Sequence, residues 1–177
     1  MVTIRTTTQI YAPLERCFRL ALSVDLEHDA TGNKAIEGVT RGLMGPGERV
    51  IWCGPGLGRR HEAIIDIWRP FSYFRDVMVS GYFGAFEHDH HFAVMDDGTR
   101  IRNEIRFTVT WGILSRAAEL LLRRRIIKLL RNRNAMIKRV AESEEWHRYL
   151  DGQPELDKHI YQALSATPRP HGHVYAR

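Results

Sequence analysis

The chain is predicted to fold as one α+β domain: a curved antiparallel sheet of about seven strands on a long C-terminal helix, with two short helices after the first strand. Three observations predict it. Residues 34–111 break into short alternating runs separated by turn residues. Residues 113–146 hold no proline or glycine and carry an apolar stripe at helical spacing. A strand and a proline-started helix precede the meander.

Residues 2–11 alternate, with Val2, Ile4, Thr6 and Thr8 against Thr3, Arg5, Thr7 and Gln9, which is strand period. After Pro13, "LERCFRLAL" places Leu14, Cys17, Phe18 and Ala21 on one helical face. "SVDLEHDATG" reads as a short helix or loop closed by Gly32. Six strands follow: "KAIEGVT", "RVIWC", "HEAIIDIW", "YFRDVMVS", "AFEHDHHFAVM" and "RIRNEIRFTVTW". Their breaks are "RGLMGPGE", "GPGLG", Pro70, Gly81 and "DDGT". The helical stripe runs through Ala118, Leu122, Ile126, Leu129, Met136, Ile137 and Val140, with Arg124, Lys128, Arg131 and Lys138 opposite. Arg133 falls inside the stripe. The expected domain covers 1–148. Residues 149–177 form a polar C-terminal extension, with a short helix after Pro154 and a tail that adds little to the core.

The 177 residues are 44% hydrophobic and 27% charged, as in a globular domain. No apolar run approaches the ~18 residues of a membrane span, and no secretion signal is read at the N-terminus. Cys17 and Cys53 are expected to be reduced, and the cytoplasm is the expected compartment. Net charge is +5, but nine Lys or Arg and one acid lie between Arg116 and Arg139. The basicity belongs to one helix face, so nucleic-acid binding is not expected. That face also carries Leu120, Leu121 and Ile127, a mixture suited to a peripheral membrane or protein contact.

"FEHDHHF", residues 86–92, raises the functional question. A two-residue turn at Asp97-Gly98 sets Phe92 against Asn103, His90 against Ile105 and His88 against Phe107. Outside, His91 meets Glu104 and Asp89 meets Arg106, so His91 and Asp89 read as surface charges. A three-residue loop, Gly81 to Phe83, sets Asp76 against His88, Phe74 against His90 and Arg75 against Asp89. His88 and His90 then share an apolar face with Phe86 and Phe92 and need polar partners there. Asp76, Asn103 and Arg133 are the candidates. Greasy walls with a few converging polar groups are the composition of a ligand pocket. Its expected lining is Trp52, Phe74, Asp76, Met78, Phe86, His88, His90, Phe92, Asn103, Ile105, Phe107, Arg133 and Met136.

The motifs "YAPLERCF", "GERVIW", "RPFSYFRDVMVSGYFGAFEHDHHF" and "LLRNRNAMIK" resemble the START-like, helix-grip (SRPBCC) superfamily, in its polyketide cyclase/dehydrase-type ligand-binding branch. The resemblance covers about residues 2–145. It implies a deep cavity between sheet and long helix for a small hydrophobic or amphipathic ligand: lipid, isoprenoid or polyketide-like. It carries over no catalytic residue. Binding or transport of such a ligand is the leading expectation. The alternative is a cyclase/dehydratase with Asp76, His88 and His90 as candidate acid-base groups. Two histidines at i and i+2 can hold one ion, with Asp76 as third ligand. No compact metal signature accompanies them, so a hydrogen-bonded polar cluster is the better reading, with no metal or cofactor expected.

Overall fold

The computed structural model describes residues 1–54, 60–109, 115–152, 158–160, 162, 163 and 165. The glycine-rich turn over 55–58, Trp111, the start of any helix after Pro154 and the tail from Thr167 lie outside the described residues.

Strand β1 (Val2–Ile10) leads into α1 (Leu14–Ala21) and α2 (Val24–Thr31). Strands β2 (Lys34–Gly38), β3 (Arg49–Cys53), β4 (Arg60–Arg69), β5 (Tyr73–Ser80), β6 (Ala85–Met95) and β7 (Gly98–Thr108) follow. The chain then forms α3 (Ser115–Ala141), a 3-10 turn (Glu144–Trp146) and α4 (His147–Leu150). All strands join one antiparallel sheet in the order β1-β7-β6-β5-β4-β3-β2. The register shifts at Ile36 of β2, Asp66 of β4 and Val79 of β5, and such bulges bend the strands that carry them.

Local chemistry sets the helix ends. The Ser23 hydroxyl accepts the Leu26 N–H at 3.2 Å and caps α2. Asp25 and Glu27 occupy its first turn, where the helix dipole favours acids. Gly32, at φ 76°, closes it in the left-handed region, as its sequence position predicts. α3 ends at Ala141 and does not run to residue 146. The Ser143 hydroxyl accepts the Glu145 N–H and starts the 3-10 turn instead.

The β5–β6 register is the expected one: Phe74 faces His90, Arg75 faces Asp89 and Asp76 faces His88. The β6–β7 register differs by two residues. Phe92 faces Ile101, His90 faces Asn103 and His88 faces Ile105. The hairpin turns at Asp96-Asp97, and Gly98 already belongs to β7. Gly98 serves the sheet, not the turn. A Cβ there would sit 2.2 Å from the Ile10 carbonyl oxygen, where β1 crosses close by. A shift of two keeps every side chain on its expected face and changes only its partner. On the outer face Asp89 therefore meets Glu104, and His91 meets Arg102.

Two apolar clusters fill the inner side. The larger centres on Phe18 of α1. Its ring meets Trp68, Phe71, Phe74 and Phe92 edge-on, at centroid distances of 5.1 to 5.7 Å. Tyr149, Leu150 and Ile160 are buried in this cluster. The smaller joins Ile4, Ile105 and Phe107 to Ile126 and Leu130 of α3. The cysteines are free: Cys17 is buried and Cys53 half-buried. No helix among the described residues is long and apolar enough to cross a membrane.

Candidate functional site

A cavity of about 190 Å³ lies between the inner face of the sheet and helices α2 and α3. Both apolar clusters contribute to its wall. Of the expected lining, Trp52, Phe74, Met78, Phe86 and Ile105 supply apolar surface, and Asp76, His88 and Arg133 supply polar groups. The other five stand behind the wall. Phe92 packs on Phe18, and Phe107 packs on Phe83. Met136 packs against the larger cluster. His90 and Asn103 are fully buried.

Strand alternation puts Asp76, His88 and His90 on the inner face, and antiparallel pairing brings them together. Asp76 Oδ2 lies 2.8 Å from His90 Nε2 and 3.6 Å from His88 Nδ1. The His88 and His90 rings are 3.7 Å apart, and His90 stacks on Phe74 at 4.1 Å. His88 Nε2 meets Asn103 Oδ1 at 3.0 Å. Asn103 in turn donates to Asn134 Oδ1 at 3.3 Å, and Asn134 donates to the Thr6 hydroxyl at 3.2 Å. With the amides assigned in that order, His88 carries its proton on Nε2. Its Nδ1 lone pair then turns toward Asp76.

Burial sets the charge states. It holds the His88 and His90 imidazoles well below their ordinary values, although Asp76 pulls His88 upward. Burial also pushes the Asp76 carboxyl up, against the pull of His88, Arg133 and His61. At neutral pH both rings are therefore neutral. Arg133 is mostly buried, with its side chain 12% exposed. Its Nε pairs with Glu27 at 2.7 Å and its guanidinium donates to the Ala21 carbonyl at 2.6 Å, which ties α3 to α2 and the end of α1.

Asp89 is no surface charge. It is 4% exposed on the outer face because the Tyr73 hydroxyl, Arg75 Nε (2.8 Å) and Arg106 (2.6 Å) roof it over. The Asp89–Glu104 juxtaposition is relieved by Arg5, 2.8 Å from Glu104, and by Arg106.

Sequence reasoning missed several polar residues, among them His61, Asn134 and Glu27. His61 lines the cavity and shares strand period with Ala63 and Ile65, so its direction was readable. Asn134 is a polar residue between Leu130 and Ile137 on the buried face of α3, the same signal that marked Arg133. Glu27 on α2 gave no signal, because only the tertiary fold brings α2 against α3.

Similar solved structures share this frame. One domain of the two-domain ARO/CYC StfQ from the steffimycin biosynthetic pathway matches with a TM-score of 0.66 at 10% identity, covering 81% of this chain and 51% of that one. The chain has the START-like helix-grip fold. A START superfamily protein from Mycobacterium smegmatis matches with a TM-score of 0.58 at 10% identity, covering 78% of this chain and 98% of that one. The protein TTHA0849 from Thermus thermophilus matches with a TM-score of 0.59 at 22% identity, covering 77% and 97%. No protein-family model and no curated protein matches the sequence. In this helix-grip frame the cavity lies between the sheet and α3, the place the resemblance implied.

Proposed function

We propose that the protein binds a small amphipathic molecule in the cavity between sheet and helices. One observation carries the reading: apolar walls enclose a space onto which Asp76, His88, His61 and Arg133 converge. The apolar part of the ligand lies against Trp52, Met78, Phe86 and Ile126, and its polar head lies at the Asp76–His88–Arg133 end. At about 190 Å³ the space is below the ~300–1,000 Å³ of ordinary ligand pockets. That size favours a ring-sized or short-chain molecule, or a lipid that enters with only part of its length. The free thiols suit a reducing cytoplasm. The basic face of α3, with Leu120 and Leu121 exposed, suits contact with an anionic surface during ligand exchange.

Native mass spectrometry of protein purified from its own host, followed by identification of the released molecule, tests the reading. A stoichiometric small amphiphile supports it. Ala63→Leu, which fills the cavity from β4, then abolishes retention while the protein stays folded. Retention unchanged by Ala63→Leu places the ligand elsewhere and overturns it.

A cyclase or dehydratase is the second reading. Asp76 and His88, an acid-base pair on the cavity wall, favour it, as does the likeness to an ARO/CYC domain. His88→Gln separates the two. A carrier changes only in affinity, whereas an enzyme loses turnover far beyond its loss of binding.

A further inference from the structure

We propose that Asp76, His88 and His90 form a site for one divalent transition-metal ion of the zinc type, with its fourth position open to the cavity. Each residue offers a ligand atom, and the three atoms lie within 4.8 Å of one another. Two imidazoles and one carboxylate are a donor set suited to zinc and its neighbours. Around a tetrahedral ion with bonds of ~2.0–2.1 Å, neighbouring donor atoms stand ~3.3 Å apart. The contacts of Asp76 Oδ2, 2.8 Å to His90 Nε2 and 3.6 Å to His88 Nδ1, bracket that spacing. An ion seated among the three needs side-chain adjustment alone.

The surroundings are those of a held ligand set. A metal-binding imidazole donates its other N–H to an oxygen that fixes its orientation. His88 does so to Asn103 Oδ1 at 3.0 Å, and the chain through Asn134 to Thr6 anchors that amide. The Phe74 ring, stacked at 4.1 Å, fixes the plane of His90. His90 Nδ1 is buried without a hydrogen-bond partner whether or not Nε2 binds an ion, so it favours neither state. Asp76 and His88 line the cavity while His90 lies behind them, which leaves the open position facing the cavity. Arg133 at the same end opposes a cation, and its partner Glu27, at 2.7 Å, offsets that charge. The spacing of "HDH" alone did not carry this site. The β5–β6 pairing was already expected to add Asp76, and what carries the site is the approach of its Oδ2 to both rings, 2.8 Å from His90 Nε2 and 3.6 Å from His88 Nδ1.

The test uses the full chain, dialysed against EDTA and free of added ligand. Zn2+ is titrated by calorimetry, and Co2+ serves as a spectroscopic probe. The expected result is one ion per chain, a tetrahedral cobalt spectrum, and displacement of cobalt by zinc. Asp76→Asn and His90→Gln each weaken binding by more than about 100-fold, beyond the ~10–100-fold of losing an outer partner. His147→Gln, which alters the exposed His147–Asp151 group, leaves it unchanged. Absence of stoichiometric uptake overturns the proposal, as does uptake indifferent to Asp76→Asn and His90→Gln. X-ray absorption of the cobalt-loaded wild type needs no variant. Two imidazoles in the coordination sphere support the site, and oxygen-only ligation overturns it. Either failure leaves the amphiphile-binding reading standing, because that reading is judged by retention of an organic molecule and its loss in Ala63→Leu, neither of which depends on metal uptake.

Discussion

At the scale of single residues, the fold depends on groups whose surroundings admit little change. Gly98 is one. Alanine there would place a methyl group 2.2 Å from the Ile10 carbonyl oxygen, and backbone on both sides must shift. Gly98→Ala is expected to lower stability by ~1–3 kcal/mol, read as an earlier urea midpoint with an unchanged slope. Tyr149 is another. Burial, and then the hydrogen bond to Asp29 at 2.8 Å, push its phenol up to about 12. The raised value means that folded Tyr149 keeps its proton while the unfolded side chain loses it from about pH 10. Its contribution is therefore whole below pH 10 and is lost as pH rises from about 10 toward about 12. Alkaline unfolding followed by circular dichroism should show a fall in stability across that window, and Tyr149→Phe should flatten it. Burial also pushes the Cys17 thiol up to about 11, so it should resist alkylation in the folded state at pH 8.

At the scale of elements, polar connections hold α3 against the sheet and against α2. The chain His88–Asn103–Asn134–Thr6 crosses from β6 through β7 to α3 and back to β1. The Arg133–Glu27 pair, with side chains 12% and 19% exposed, joins α3 to α2. Arg133→Met leaves Glu27 largely buried without its cation and is expected to cost up to ~3–5 kcal/mol. Adding Glu27→Gln should return much of that loss, and chemical denaturation of the two variants measures the difference. These connections also show what was legible in the sequence. Alternation assigned Asp76, His88, His90 and Asn103 to the inner face, because the period of a strand is two. It could not correct the β6–β7 partners, which the expected Asp97-Gly98 turn set two residues off, since registers two residues apart expose the same faces. The glycine that suggested the turn is explained instead by the close passage of β1, a contact between residues almost ninety positions apart along the chain. Asn134 was legible in principle, as a polar residue on an apolar stripe. The closing of the cavity by α2 was not, because nothing local in "SVDLEHDATG" says which neighbour it meets.

At the scale of the whole molecule, the segment beyond residue 148 matters to the fold. Tyr149 and Leu150 of α4, with Ile160, are buried in the cluster around Phe18. Ending the chain at residue 148 removes all three and the Tyr149–Asp29 bond. Thermal denaturation should show a lower midpoint and less cooperative melting, whereas ending it at residue 166 tests the polar tail alone and should change little. The two apolar clusters remain distinct, and the cavity takes its wall from both. A molecule seated there touches Trp52 and Ile65 of one and Ile126 and Leu130 of the other. It would act as a keystone, completing an interior that the polypeptide leaves divided. Because an occupant bound only by the folded chain adds RT ln(1 + [L]/Kd) to its stability, the melting temperature becomes a gauge of occupancy. A chemically blind screen follows from this: heat the protein with each of many small amphiphiles, and the right one announces itself as heat resistance before anyone knows what it is for.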